Sequence, residues 1–189
     1  MTTGKLIVVS GPSGVGKSVI CKEVLKRTGV KYSISATTRT PRPGEINGVD
    51  YHFVSVEKFQ QMIADQKLLE HAEVFGNYYG TPAEPVEKTI TMGQNIVLEI
   101  DVQGGIQVSK IMPQATFVLI VPPSEEELKT RLANRGTEDE ESFNRRFSKS
   151  QAELKTARDS GAYKIEIIND DLETAIQELV DIVNNSPKG

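Results

Sequence analysis

The sequence contains no tryptophan, one cysteine and two histidines among its 189 residues. A lone thiol, Cys21, has no partner for an internal disulfide, so the expected setting is a reducing one, and Cys21 itself reads as a small packing residue. His52 and His71 are isolated, which leaves no Cys/His cluster of zinc-binding spacing. Long apolar runs are missing too. The stretch Leu6 to Val9 is too short for the hydrophobic part of a secretory leader, and no segment approaches a membrane span. Positive charge is not in excess: 22 Lys+Arg stand against 26 Asp+Glu, a net charge of −4 with a pI near 5.4. That balance argues against a broad electrostatic footprint for nucleic acid or anionic lipid, though not against a local basic cluster. The expectation is a soluble, cytoplasmic protein with neither a nucleic acid polymer nor a membrane as partner; the sequence says nothing of oligomeric state.

What is present is ordinary for a globular chain, 38% apolar and 25% charged, with length enough for one domain and a real core. Four apolar runs without alternation, Leu6 to Val9, Ile96 to Leu98, Phe117 to Val121 and Ile165 to Ile168, read as buried parallel strands. Lys31 to Ser35 is a weaker fifth candidate. Between them lie helical patterns, the clearest being Leu172, Ala175, Ile176, Leu179, Val180 and Val183 on one stripe. Asp170 with Glu173, Ser124 with Glu127, and Thr137 with Glu140 have capping-box spacing, and Thr81-Pro82-Ala83-Glu84 reads as a helix start with Thr81 as the cap. Phe59, Met62 and Ile63 read as a helix core stripe. The alternation of strand and helix gives an α/β, doubly wound fold. Two stretches interrupt it and read as lobes on one core: residues 36–92, rich in Thr and Pro, and the charge-dense residues 124–160. The core is then about 1–35, 93–123 and 161–189.

Gly11-Pro12-Ser13-Gly14-Val15-Gly16-Lys17-Ser18 matches G-x-x-x-x-G-K-[ST] completely, directly after an apolar strand and before a helical segment. Glycines there let several backbone N–H groups point inward at phosphate oxygens, at the positive end of the following helix. Lys17 would reach the β- and γ-phosphates of a nucleoside triphosphate, and the Ser18 hydroxyl would hold Mg2+. Farther on, Arg39 and Arg42, stiffened by Pro41 and Pro43, offer two guanidinium forks to one phosphate. Tyr51, Tyr78 and Tyr79 add hydroxyls nearby, although half-buried packing suits them equally well. Arg131 and Arg135 share a helix face, and Arg145 and Arg146 follow on the next helix; acidic residues interleave, so a solvated charged surface explains them as well. Glu70 by itself reads as a solvated carboxylate at a helix end.

The segments Thr37 to Glu45, Gly48 to Tyr51, Gly76 to Thr81, Ile100 to Gly104, Pro122 to Ser124, Arg135 to Thr137 and Asn169 to Asp171, in that order along the chain, resemble the guanylate kinase family. The resemblance implies a P-loop NTPase-type parallel sheet flanked by helices, with residues 36–92 as an inserted GMP-binding lobe and 124–160 as a helical lid. It implies ATP-dependent phosphorylation of GMP, and of dGMP, with Mg2+ alongside the ATP. By it, Arg39, Arg42, Tyr51 and Tyr79 bind the GMP phosphate, and Ser35, Glu70 and Thr81 read the guanine with Asp101 close by. Guanine offers N1–H and N2–H2 as adjacent donors that one carboxylate accepts as a pair; adenine does not. Arg135 and Arg146, with Arg131, resemble lid arginines that close on the triphosphate, and Asn169 and Asp170 resemble the turn beside the adenine. Lys17, Arg42, Arg135 and Arg146 are thereby the expected catalytic group. The family commonly has Asp where this chain has Glu99, so no role is carried over to Glu99. The rival readings are a non-catalytic guanylate-kinase-like binding module, a kinase for another monophosphate, and a GTPase. Against the last, no Asn-Lys-x-Asp stretch follows the loop.

Overall fold

Apolar strands without alternation need cover on both faces, and the fold supplies it. A computed structural model describes residues 3–74, 76–133 and 140–185. In chain order the first half holds β1 (Leu6–Ser10), α1 (Lys17–Thr28), β2 (Lys31–Tyr32), β3 (Ala36–Thr37), β4 (His52–Phe53), α2 (Val56–Ala64), β5 (Leu68–Val74), β6 (Asn77–Pro82) and α3 (Ala83–Thr91). The second half holds β7 (Ile96–Glu99), α4 (Val102–Ile111), β8 (Thr116–Val121), α5 (Glu125–Ala133), α6 (Glu140–Ser160), β9 (Ile165–Ile168) and α7 (Leu172–Asn185). β2, β7, β1, β8 and β9, in that order, form a sheet whose paired strands are all parallel. The class is α/β with a central parallel sheet flanked by helices.

The period of two along each strand divides the core. Ile7 and Val9 of β1, with Val97, Val118, Ile120 and Ile167, pack under α1 and α7. Leu6 and Val8, with Ile96, Leu98, Phe117, Leu119 and Val121, face Val102 and Val108 of α4, Val86 of α3, Ala157 of α6 and Tyr163. α7 buries Ala175, Ile176, Leu179, Val180 and Val183 as its stripe requires, while Leu172 at its start is 42% exposed. No helix among the described residues is long and apolar enough to cross a membrane.

A second sheet, in the order β4-β3-β6-β5, is built from residues 36 to 82. The stretch read as a strand over Lys31 to Ser35 is therefore shortened: β2 closes the edge of the first sheet with Lys31 and Tyr32 alone, and past Ser35 β3 starts the second sheet at Ala36. Of the stripe on α2, Phe59 is fully buried and stacks on Tyr78, ring centroids 5.6 Å apart. Met62 and Ile63 are half-buried.

Two expected caps shift. Thr81 belongs to β6, and α3 starts behind Pro82 with no side-chain cap. At α7 the capping oxygen is Asp171 Oδ1, which accepts from the Thr174 N–H at 2.8 Å, one residue later than Asp170; Glu173 instead pairs with Arg27. Ser124 does cap α5, accepting from the Glu127 N–H at 3.1 Å. The Thr137–Glu140 pair falls partly outside the described residues. Phe59→Ala should lower unfolding free energy by about 3–5 kcal/mol, measured by denaturant titration, because it empties the contact between α2 and the second sheet.

Candidate active site

The loop after β1 starts where the sheet stops supplying partners. A Cβ on Gly11 would lie 2.3 Å from the Ile120 carbonyl oxygen of β8, and Gly11 adopts φ +154. Gly16, at φ +93, lies against the Asn169 side chain, whose Nδ2 would be 2.6 Å from an added Cβ. Only glycine fits at either place. Asn169 Nδ2 donates to the Val15 carbonyl at 2.7 Å and is buried, so β9 braces the loop from behind. The residue expected beside an adenine thus spends its amide on the loop, and its neighbour Asp170 is exposed.

Lys17, first residue of α1, folds its ammonium back over the loop to donate to the Gly11 carbonyl and, at 3.0 Å, to that of Pro12. Burial pushes its pKa below the ordinary lysine value, opposed by the charges of Glu99 and Glu153. Ser18 donates to Glu99 Oε1 at 2.6 Å, and Tyr32 donates to Glu99 Oε2 at 3.1 Å. The longer carboxylate at position 99 thus reaches the serine hydroxyl at the foot of the loop. Sequence reasoning set Glu99 aside; the signal was its place at the end of the apolar run that becomes β7, next to β1.

Two adjoining cavities open here. One, about 350 Å3, is lined by Gly11, Ser13 and Lys17 of the loop, by Ser35, Tyr51, Glu70 and Tyr79 of the second sheet and its approaches, by Glu99 and Asp101, and by Arg146, Lys149, Ser150 and Glu153 of α6. The other, about 470 Å3, is lined by Ser18, Lys22, Arg39, Arg42, Glu45 and Asp50 among others, and shares Ser35, Tyr51 and Glu99 with the first.

Glu70 is not at a helix end. It sits in β5, 5% exposed, and accepts from the Thr81 hydroxyl across the antiparallel pair at 2.6 Å. Burial raises its pKa to about 7, against the stabilising Thr81 hydrogen bond and with the Asp101 charge adding to the rise. Asp101 caps α4, its Oδ1 accepting from the Gly104 N–H at 2.7 Å. Gly104 is itself required, since a Cβ there would come within 2.6 Å of Glu70 Oε2.

Arg39 forks onto Glu45, with Nη1 to Oε2 at 3.0 Å and Nη2 to Oε1 at 2.8 Å, and its guanidinium stands 5.5 Å from the Tyr51 ring centroid. Glu45 also accepts from the Arg42 backbone N–H, and the Arg39 guanidinium holds the Glu45 carboxyl down near 2. Arg42 is exposed, lining the second cavity. Tyr51 and Tyr79 meet edge to face at 6.0 Å, both at the first cavity, whereas Tyr78 turns away onto Phe59.

From the charged second stretch, Arg146 reaches the loop, its Nη2 lying 3.5 Å from Ser13 Oγ. Arg131 pairs with Glu127 on its own helix and lines neither cavity. Arg145 lies beside Ser142. Arg135 is outside the described residues. Cys21 is buried, and burial pushes its thiol pKa up, as suits a packing residue. Among the described residues no group of three or more His, Cys, Asp or Glu is placed to hold a metal. Lys149, Ser150 and Glu153 had no motif to announce them; their shared helix face was the available signal.

The family model described as guanylate kinase matches residues 3–186. A guanylate kinase of Clostridioides difficile (strain 630) is 45% identical over 183 residues, covering 96% of this chain and 88% of that one. Guanylate kinases of Clostridium perfringens (strain 13) and Bacillus subtilis (strain 168) are 48% and 47% identical, covering 93% and 95% of this chain and 81% and 88% of their own lengths. Among solved structures, the guanylate kinase from Anaplasma phagocytophilum superposes with a TM-score of 0.79 at 32% identity, covering 97% of this chain and 86% of that one.

With its pKa raised, Glu70 holds a proton in the folded protein from about pH 4.5 to 7 that the unfolded chain has released. Wild-type stability should therefore fall by an amount on the order of 3 kcal/mol as pH rises from 4.5 through 7, and Glu70→Gln should lack that slope. Denaturant titrations of both proteins at pH 5 and pH 8 measure it; parallel profiles would contradict the assignment.

Proposed function

Because the chain belongs to the guanylate kinase family and is an enzyme that phosphorylates GMP at the expense of ATP, we propose that its two adjoining cavities together hold both substrates, with the reacting phosphates brought to Lys17. The observation that carries this assignment is a single cavity lined at one place by the phosphate loop and at another by a buried carboxylate already paired with a hydroxyl. In this reading the loop from Gly11 to Ser18 holds the ATP phosphates, Arg146 with Arg135 and Arg131 supplies the neutralising charge of the lid, and Asn169 and Asp170 serve the adenine end. Arg39, Arg42, Tyr51 and Tyr79 hold the GMP phosphate, and Ser35, Glu70, Thr81 and Asp101 surround the guanine.

The chemistry follows from those placements. Glu70, once deprotonated, accepts from guanine N1–H and N2–H2 together, and the Thr81 hydroxyl keeps its second face fixed. AMP offers that buried carboxylate neither of these donors and leaves it with Thr81 alone, a discrimination of about 10^4. Neither contact touches the 2′ position, so dGMP serves as well. The GMP phosphate oxygen attacks the γ-phosphorus in line with the departing ADP, and no covalent intermediate forms. Lys17 leaves the Gly11 and Pro12 carbonyls to follow the γ-phosphoryl charge, joined by Arg42 and the lid arginines. Ser18 and Glu99 offer hard oxygen donors that would suit Mg2+, whose charge would neutralise that of the β- and γ-phosphates. Closure of residues 36–92 and 124–160 over the core would keep water from the γ-phosphoryl group.

A coupled assay of ADP release, offering GMP, dGMP, AMP, UMP and CMP separately, should show turnover with the two guanine nucleotides and little response to AMP. No turnover with any of the five acceptors, by a folded protein, would mean a binding module instead. Lys17→Ala should abolish turnover while leaving the melting temperature near wild type, and Glu70→Gln should raise KM for GMP by at least tenfold with a smaller change in KM for ATP. Solution-scattering dimensions should shrink when both nucleotides bind; unchanged dimensions would refute lobe closure.

A further inference from the structure

Tyr32 lies opposite Val97 in the parallel pairing of β2 with β7, and Glu99 ends β7 two residues beyond Val97. The period of two along a strand puts Val97 and Glu99 on one face of the sheet, the face that packs under α1. The Tyr32 ring packs against the same apolar cluster as Val9 and Val97, and its hydroxyl donates to Glu99 Oε2 at 3.1 Å. The other oxygen of that carboxylate, Oε1, accepts from the Ser18 hydroxyl at 2.6 Å. Glu99 is thus fastened at both oxygens, by the first turn of α1 and by a ring rooted in the core. All three residues line the second cavity, together with Arg39 and Arg42.

A phenol has one O–H to give, and Tyr32 gives it to Glu99, so it has no proton left for a phosphate in the same cavity. Any effect of this hydroxyl on a ligand passes through the carboxylate. A glutamate turns about three side-chain bonds, and Lys17, which lines the first cavity with Glu99, is a cation that attracts a loose carboxylate. We propose that Tyr32 is a positioning residue: by holding Oε2 it keeps Glu99 Oε1 at Ser18, where the two oxygens stand ready for the Mg2+ of the donor nucleotide, and keeps the carboxylate off Lys17. The inference rests on the reading of Ser18 and Glu99 as the Mg2+ side of the site. It adds a residue from the edge strand of the sheet, outside the loop motif, that sets how strongly donor binding depends on the metal.

Titration calorimetry of ATP, once with Mg2+ and once with EDTA in its place, compares wild type, Tyr32→Phe, Glu99→Ala and the double variant. Tyr32→Phe removes one oxygen and leaves the ring in the core. It should weaken MgATP binding about tenfold and leave metal-free ATP binding within about twofold of wild type. In the Glu99→Ala background the same change should cost nothing further with MgATP, because the group it acts through is gone. A Tyr32→Phe protein that binds MgATP as tightly as wild type would overturn the proposal. So would equal weakening with and without Mg2+, the pattern of a phenol that only supports the fold. A further loss of MgATP affinity on top of Glu99→Ala would overturn it as well, since the hydroxyl would then act by another route. Glu99→Ala binding MgATP like wild type would instead sink the placing of Glu99 at the Mg2+ site, and the inference with it.

Discussion

The carboxyl end of β1 is the place on which the rest of the molecule depends. Within the sheet its backbone groups are paired on both sides, by β7 and β8. Past Ser10 that pairing ends, and a buried chain must find other partners. The loop resolves this by curling, which is possible only because Gly11 lacks a Cβ that would lie 2.3 Å from the Ile120 carbonyl oxygen, and Gly16 rests against Asn169. Asn169 satisfies the Val15 carbonyl, and Lys17 those of Gly11 and Pro12. The curled loop, between the end of a strand and the start of a helix, is the seat proposed above for the donor phosphates.

Around that site the protein arranges carboxylates as deliberately as cations. Glu45 is held ionised by Arg39, and in return fixes the guanidinium edge on. Glu70, buried beside the Thr81 hydroxyl and with no cation among the causes acting on it, has its charge disfavoured and its pKa raised to about 7. Two glutamates thus differ in charge behaviour because one has a cation beside it and the other has burial. Glu99 accepts from two hydroxyls at the foot of the loop, and Glu153 of α6 lines the same cavity as the loop.

How much was legible beforehand varied with the range of the interaction. The eight-residue loop motif, the buried strands, the α7 stripe and the Ser124 cap are local patterns, and the structure contains each of them. Thr81 was misread as a cap because Thr-Pro-Ala-Glu satisfies the local rule, while its hydroxyl is claimed by Glu70 eleven residues earlier across a strand pair. Glu70 was ambiguous for the same reason: nothing near it in sequence says that Gly104 leaves room for its carboxylate. Glu99, Ser150 and Glu153 carry no motif, and their positions come from helices and strands meeting.

By itself, then, the sequence determined which elements form and where phosphate chemistry is possible, because strand burial, helix caps and a glycine-rich turn are decided by neighbours a few residues apart. It also carried the family, through short segments kept in order along the chain. The tertiary structure alone decided the charge state of Glu70, the partner of Ser18, the turning of Asn169 to the loop and the meeting of α6 with Ser13. Each of these depends on desolvation or on a contact between residues far apart in the chain, and such quantities exist only once the layers have packed.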